Sequence, residues 1–241
     1  MVPLTVAAIL LVAAFAQTAT GFGFALLAVP LMTLVTDPRT AVVVMALAAL
    51  LQTGVTTARE HGAVRWSDTR WLLAACLVGL PIGVVVLRAA PARVLTALIA
   101  VCALGGVVVV WRDLRLARPG RLAMALAGLV TGVLTTSTGT NGPPLVAAFH
   151  AMGYPPRTLR ATVAAVFLVT GVVSVAAFAV AGLVTAQVGR YALAGLPAVL
   201  LGWRLGETIF VRIDAARFRT VLLAALVVSA AVTLGRAVLH G

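Results

Sequence analysis

The chain has 241 residues, of which 62% are apolar and only 10% charged, with a formal net charge of +12. A soluble domain carries about 25% charged residues, so the composition argues against a water-soluble fold and for an integral membrane protein. Every one of the 18 basic residues is Arg, which excludes a P-loop ATPase site and Schiff-base chemistry, since both need a Lys.

The apolar residues fall into ten runs, near residues 4–19, 22–36, 40–58, 71–87, 94–111, 122–138, 142–152, 161–183, 189–206 and 219–239. A helix needs about 20 such residues to cross a bilayer, and eight of the runs are long enough, alone or with slight tilt. The first carries Ala14-Phe15-Ala16 as a rough cleavage pattern, but no Arg precedes it, so it reads as a retained span rather than a secretory signal. The second and seventh runs are short, and each is opened by Gly or Pro. At about 1.5 Å per residue the second reaches roughly 22 Å, which predicts a thin crossing, a broken helix or a re-entrant segment. None of the runs alternates as barrel strands do. The fold class expected is all-α: a polytopic membrane helix bundle of 8–10 transmembrane segments, two of them short.

Shifting the chain by 118 places lays Thr20-Gly21 on Thr138-Gly139 and Asp37-Pro38-Arg39-Thr40 on Pro155-Pro156-Arg157-Thr158. Further on, Gly79-Leu80-Pro81 matches Gly195-Leu196-Pro197 at 116, and Ala92-Arg93 matches Ala216-Arg217 at 124. Two homologous halves are therefore expected, residues 1–119 and 120–241, joined near Arg118-Pro119-Gly120 within one membrane domain. If all ten runs cross, 13 Arg collect on one side and five on the other; if the short runs double back, the split is nine to nine. The positive-inside rule favours the first case. It gives an odd number of crossings per half, hence inverted repeats, with both termini outside a cell inner (plasma) membrane.

Polar residues inside the runs cluster where each half is interrupted. Gln17, Thr18 and Thr20 precede Gly21-Phe22-Gly23, and Thr135 to Thr138 lead into Gly139-Thr140-Asn141-Gly142-Pro143-Pro144. Gly and Pro free backbone groups that hydrocarbon cannot satisfy. In duplicated transporters such breaks lie near the membrane midplane, and half-helix N-termini there favour an anion. The residues expected to bind substrate are Gln17, Thr20, Gly21, Phe22 and Gly23 in the first half, and Thr138, Gly139, Thr140, Asn141, Gly142 and Pro143 in the second. Asn141 is the sharpest of these, because an amide donates to an oxyanion without burying a charge. Gln52 and His150 are candidates for a path or a coupling role. The competing structural reading is that Thr and Ser bond their own helix at i−4 and that Gly serves packing. Packing is the expectation for Gly79-x-x-x-Gly83, Gly128-x-x-x-Gly132 and Gly202-x-x-x-Gly206. Glu207 follows Arg204 by three residues and is expected to pair with it. Cys76 and Cys102 read as core thiols.

Thr20-Gly21-Phe22-Gly23-Phe24 with Pro30, and Gly139-Thr140-Asn141-Gly142-Pro143-Pro144-Leu145 with Arg160-Ala161-Thr162, resemble the sulfite exporter family TauE/SafE. The resemblance covers about residues 5–235. It implies a duplicated membrane bundle that moves small sulfur-containing anions such as sulfite, sulfonates or sulfoacetate, with export the commoner direction. The expected function is thus a permease, not an enzyme, with no cofactor and no metal. Its expected partners are a small anion and the lipid bilayer, with no nucleic acid and a homodimer left open. Two rival readings are a non-transporting scaffold or accessory subunit and an intramembrane enzyme. Against the enzyme stand the lack of a His-Glu-x-x-His or Gly-x-Ser-x-Gly motif and a total of three His.

Overall fold

A computed structural model of the chain describes residues 2–20, 23–111, 120–140, 142, 145, 148–149, 152–209, 224, 227–233 and 235. The described residues form an all-α bundle with no strand among them. The helices are α1 (Val2–Thr20), α2 (Phe24–Met32), α3 (Pro38–Glu60), α4 (Trp66–Ala89), α5 (Ala92–Trp111), α6 (Arg121–Ser137), α7 (Pro156–Val180) and α8 (Ala186–Ile209). Residues 142, 145 and 148–149 are also helical, as are 227–233. Helix α3 with the turn after it, α4 and α7 are each long and apolar enough to cross a membrane, and α1, α5 and α6 hold shorter apolar stretches. The exterior carries large apolar side chains, among them Val78, Val85, Leu126 and Leu193 at 55–69% exposure. Water would penalise such a surface, and lipid accepts it.

Local chemistry sets the helix ends. Pro38 opens α3 at a position where its missing N–H costs nothing, and the Asp37 carboxylate accepts from Thr40 N at 3.0 Å. Pro156 opens α7 in the same way, 118 residues on. Helix α4 ends against Arg39, whose guanidinium donates to Leu87 O at 2.9 Å and Ala90 O at 2.8 Å, placing a cation on a helix C-terminus. Pro30 lies inside α2, and its carbonyl accepts from Thr33 Oγ1 at 2.6 Å and from Thr233 Oγ1 at 3.2 Å. The segment 227–233 thereby holds the short helix from outside the first half.

Glycine sets the tightest seams. A Cβ on Gly128 would meet Leu72 O at 2.1 Å, and one on Gly132 would meet Cys76 O at 2.1 Å. Across the same α4–α6 seam, Gly79 faces Leu129 O at 2.4 Å and Gly83 faces Val133 O at 2.3 Å. Thr136 Oγ1 then donates to Leu80 O at 2.7 Å. The α1–α8 seam is built alike: a Cβ on Gly202 would meet Leu11 O at 2.3 Å, and one on Gly206 would meet Thr18 Cβ at 2.6 Å and Phe15 O at 3.1 Å. The packing role expected of all three Gly-x-x-x-Gly faces is what these contacts display.

In both seams the contacts climb together along the two chains, so α1 runs parallel to α8 and α4 parallel to α6. Leu11, Phe15 and Thr18 become Leu129, Val133 and Thr136 on adding 118, which makes the two seams copies of one arrangement. Gly79 and Gly83 therefore correspond to Gly202 and Gly206, 123 residues on. The match of Gly79 to Gly195 at 116 is corrected, because backbone contact, not the shared Gly-Leu-Pro triplet, fixes the register.

Helices α3 and α7 cross at the centre, where a Cβ on Gly171 would meet Leu50 Cδ2 at 2.9 Å and one on Gly54 would meet Leu168 Cδ1 at 3.9 Å. They run in opposite senses, since Arg160 at the start of α7 pairs with Glu60 at the end of α3. Helices α3 and α7, whose first residues the offset of 118 relates, thus point in opposite directions. One end of the bundle gathers Arg59, Arg65, Arg70, Arg121, Arg157, Arg160 and Arg204; the other has Arg39, Arg88, Arg93 and Arg190.

Candidate functional site: a cavity at the crossing of the halves

Helix α1 closes near Thr20 and α2 begins at Gly23, which has φ 112° and supplies no side-chain cap. Only glycine adopts that angle without strain. Among the described residues Leu27 N is the first amide of α2 with a bond inside the helix, to Gly23 O at 3.1 Å, and the amides of Phe24, Ala25 and Leu26 precede the first i−4 acceptor of the helix. All three residues line a cavity of about 40 Å³, enough for roughly three water centres.

The rest of the lining comes from four other helices and the second break. Gln17 projects from α1, Ala49, Leu50 and Thr53 from α3, and Thr135 from α6. Gly142, Phe167, Gly171 and Ser174 complete the far side. The offset of 118 recurs here, relating Gln17 to Thr135, Phe24 to Gly142, Ala49 to Phe167 and Thr53 to Gly171. Among the described lining residues none is ionisable. The wall is made of an amide, hydroxyls, a helix start and apolar side chains, a combination that meets an anion with dipoles rather than a fixed charge. The Thr53, Thr135 and Ser174 hydroxyls donate to Ala49 O at 2.8 Å, Thr131 O at 2.6 Å and Thr170 O at 2.6 Å in their own helices. Their oxygens keep lone pairs, and a ligand that needs a donor must turn them.

The expected site residues divide. Gln17, Gly23 and Gly142 meet at this cavity although they are far apart in sequence. Gly139 has φ 72° and no room for a side chain, with Met45 Cε at 2.6 Å and Val29 Cγ2 at 3.0 Å from a Cβ there. It serves the turn after α6. Thr138 and Thr140 are buried with their hydroxyl oxygens 2.6 Å apart, and neither is among the residues lining the cavity. Thr20 ends α1. Gly21, Phe22, Asn141, Pro143 and His150 lie outside the described residues, as does the side chain of Thr20.

A second space of about 10 Å³ adjoins the first and is lined by Gln17, Thr18, Gln52, Thr56, Arg160, Ala164 and Trp203. Gln52 donates through Nε2 to Ala14 O at 3.1 Å and to Thr18 Oγ1 at 3.0 Å. Beyond it is an ionic cluster: Arg59 to Glu207 at 3.1 Å, Arg160 to Glu207 at 3.6 Å and Arg160 to Glu60 at 3.5 Å. The pairing expected of Glu207 with Arg204 is corrected, because helix ends brought together from α3 and α7 offer closer guanidinium groups. On the same end of the bundle Tyr154 donates to the Asp68 carboxylate. Burial first, then that hydrogen bond and the Asp68 charge, hold its phenol above the usual tyrosine range.

Sequence reasoning passed over Thr53, Phe167, Gly171, Ser174 and Trp203. They sit in unbroken apolar runs with no local mark; the offset of 118 from Gln17 and its neighbours was the one signal able to find part of them.

Comparison with known proteins gives a family model, described as Sulfite exporter TauE/SafE, that matches residues 6–233. No curated protein and no solved structure matches the chain. With nearly its whole length covered by that model, an all-α membrane bundle and two chain breaks meeting at one cavity, the chain belongs to the TauE/SafE sulfite exporter family of membrane transporters.

Proposed function

We propose that the protein is a permease for a small sulfur-containing or organic oxyanion, such as sulfite, a sulfonate or sulfoacetate, and that it exports this anion across the cytoplasmic membrane. The observation that carries the reading is the central cavity, lined from both breaks by residues related by one offset, with no ionisable group among the described lining residues. A duplicated site on an inverted pair of halves is an arrangement that many alternating-access transporters use. The first turn of α2, which no described side chain caps, supplies positive dipole where an anion would rest. Asn141 and Pro143 belong to the same reading as residues of the second break.

The halves are residues 1–119 and 120–241, and the copied α1–α8 and α4–α6 seams support that division. The protein is a multi-pass protein of the inner membrane, with its Arg-rich end in the cytoplasm, as the uneven distribution of Arg supports. A Ser67→Cys variant tests the orientation: a charged thiol reagent should label it only from the cytoplasmic side, and labelling from outside reverses the assignment.

Purified protein in liposomes should move labelled sulfite or sulfoacetate. Gln17→Ala should lower that flux at least tenfold while leaving the amount of folded protein unchanged. No flux of any sulfur oxyanion by the unaltered protein would remove the proposal.

A further inference from the structure

Two buried polar atoms next to the central cavity have no partner among the described residues: Gln52 Oε1 and Trp203 Nε1. Gln52 is 3% exposed and Trp203 6% exposed, so bulk water does not satisfy them. Both side chains line the small space that Gln17 separates from the central cavity. Buried polar groups are nearly always bonded, and a pair of exceptions in one polar space marks a place that a polar species visits. The indole N–H can only donate, which selects an anion or a water and rejects a cation.

Arg160 closes this space on the other side. Its guanidinium lies 3.5 Å from Glu60 and 3.6 Å from Glu207, and its side chain is 33% exposed. Arg59, itself paired with Glu207, lies over the Trp203 ring at 4.4 Å and holds the indole in place. A space of about 10 Å³ takes about one water centre, too little for a polyatomic oxyanion, so this end of the bundle is shut. Carboxylate and sulfur oxyanion present the same paired oxygens to a guanidinium, and one can replace the other.

We propose that the space bounded by Gln17, Gln52, Trp203 and Arg160 is a second anion station between the central cavity and the Arg-rich end. Arg160 opens it by leaving Glu60 and Glu207, and takes the anion in their place. Trp203 Nε1–H donates to the anion, and the Gln52 carbonyl accepts from its accompanying water or from a protonated anion oxygen. This rests on the reading of the central cavity as an anion site, which Arg160 does not line.

Two measurements test it. Arg160→Gln should lower sulfite flux in liposomes at least fivefold, while sulfite binding to the detergent-solubilised variant, read by calorimetry, stays within twofold of the unaltered protein. A smaller loss of flux, or an equal loss of binding, overturns the station. Opening is read without any anion, using Thr56→Cys in a Cys102→Ala background, where Cys76 is fully buried. A hydrophilic neutral maleimide should label Cys at position 56 at least fivefold faster when Glu60→Gln and Glu207→Gln are added. Should that combination not be recovered folded, about 1 M salt, which screens exposed ion pairs, should give the same acceleration with both carboxylates in place. Unchanged labelling overturns the proposal. Absence of sulfite binding by the unaltered protein would strike the central site alone, and the labelling rates would still decide the station.

Discussion

The two glycine seams share a register but not a composition. In the α4–α6 seam both helices give up side chains: Gly79 and Gly83 on one face, Gly128 and Gly132 on the other, each against backbone carbonyls. In the α1–α8 seam only α8 does so, and the places of Gly128 and Gly132 are taken on α1 by Leu10 and Ala14. Gly195 of α8 accordingly faces not a carbonyl but the tip of Leu10, with Cδ1 at 2.3 Å from a Cβ there. Backbone against backbone leaves nothing to yield, whereas a side-chain tip can turn. The softer seam is also the one whose helices carry Gln17, Trp203 and Glu207, the residues beside the second space and its ionic closure. One register is thus built twice, once as a fixed brace and once as a joint that can adjust.

Alanine substitutions along the seams should break or sharpen this contrast, read as thermal stability of the detergent-solubilised protein. Gly132→Ala drives a methyl into Cys76 O, C and Cα together, and should cost about 3 kcal/mol or more, or leave no folded protein. Gly202→Ala meets Leu11 O at 2.3 Å, the Ala14 methyl at 3.0 Å and Leu11 C at 3.1 Å, fewer close backbone atoms than at Gly132, and should cost roughly 1–3 kcal/mol. Thr136→Val removes the one hydroxyl that bonds Leu80 O across the brace, for about 1 kcal/mol. Gly195→Ala asks only that Leu10 turn, and should stay below about 1 kcal/mol. A Gly195→Ala variant as damaged as Gly132→Ala would erase the distinction between the seams.

Much of the fold was legible because a bilayer demands uninterrupted apolar length, and each of the ten runs meets helical residues in the structure. The breaks were legible because Gly and Pro mark them. Helix α2 starts directly after Gly23, and Gly23 and Gly142 line one cavity. The interhelical register of α4 and α8 was not legible: two alignments of glycines were open to the sequence, and only which carbonyl each glycine touches decides between them. The cluster of Glu60, Arg160 and Glu207 was equally hidden, since three helix ends 47 to 147 residues apart must first be brought side by side. Thr135 illustrates the middle case. It stood in a conspicuous polar run, but nothing before the fold separated it from Thr136, which braces α4 instead.

Among the described residues Gln17 alone is common to the linings of the two spaces. A transmembrane voltage falls mainly where a pathway is dry, because water-filled stretches conduct and hold little field. With both spaces hydrated, the field would concentrate on the Gln17 amide and on the Arg160 closure, and 100 mV is worth about 2.3 kcal/mol for a single charge. An anion passing that amide would therefore cross much of the membrane potential in a few ångströms, which makes the rate of its passage a voltage-dependent quantity set at a single side chain.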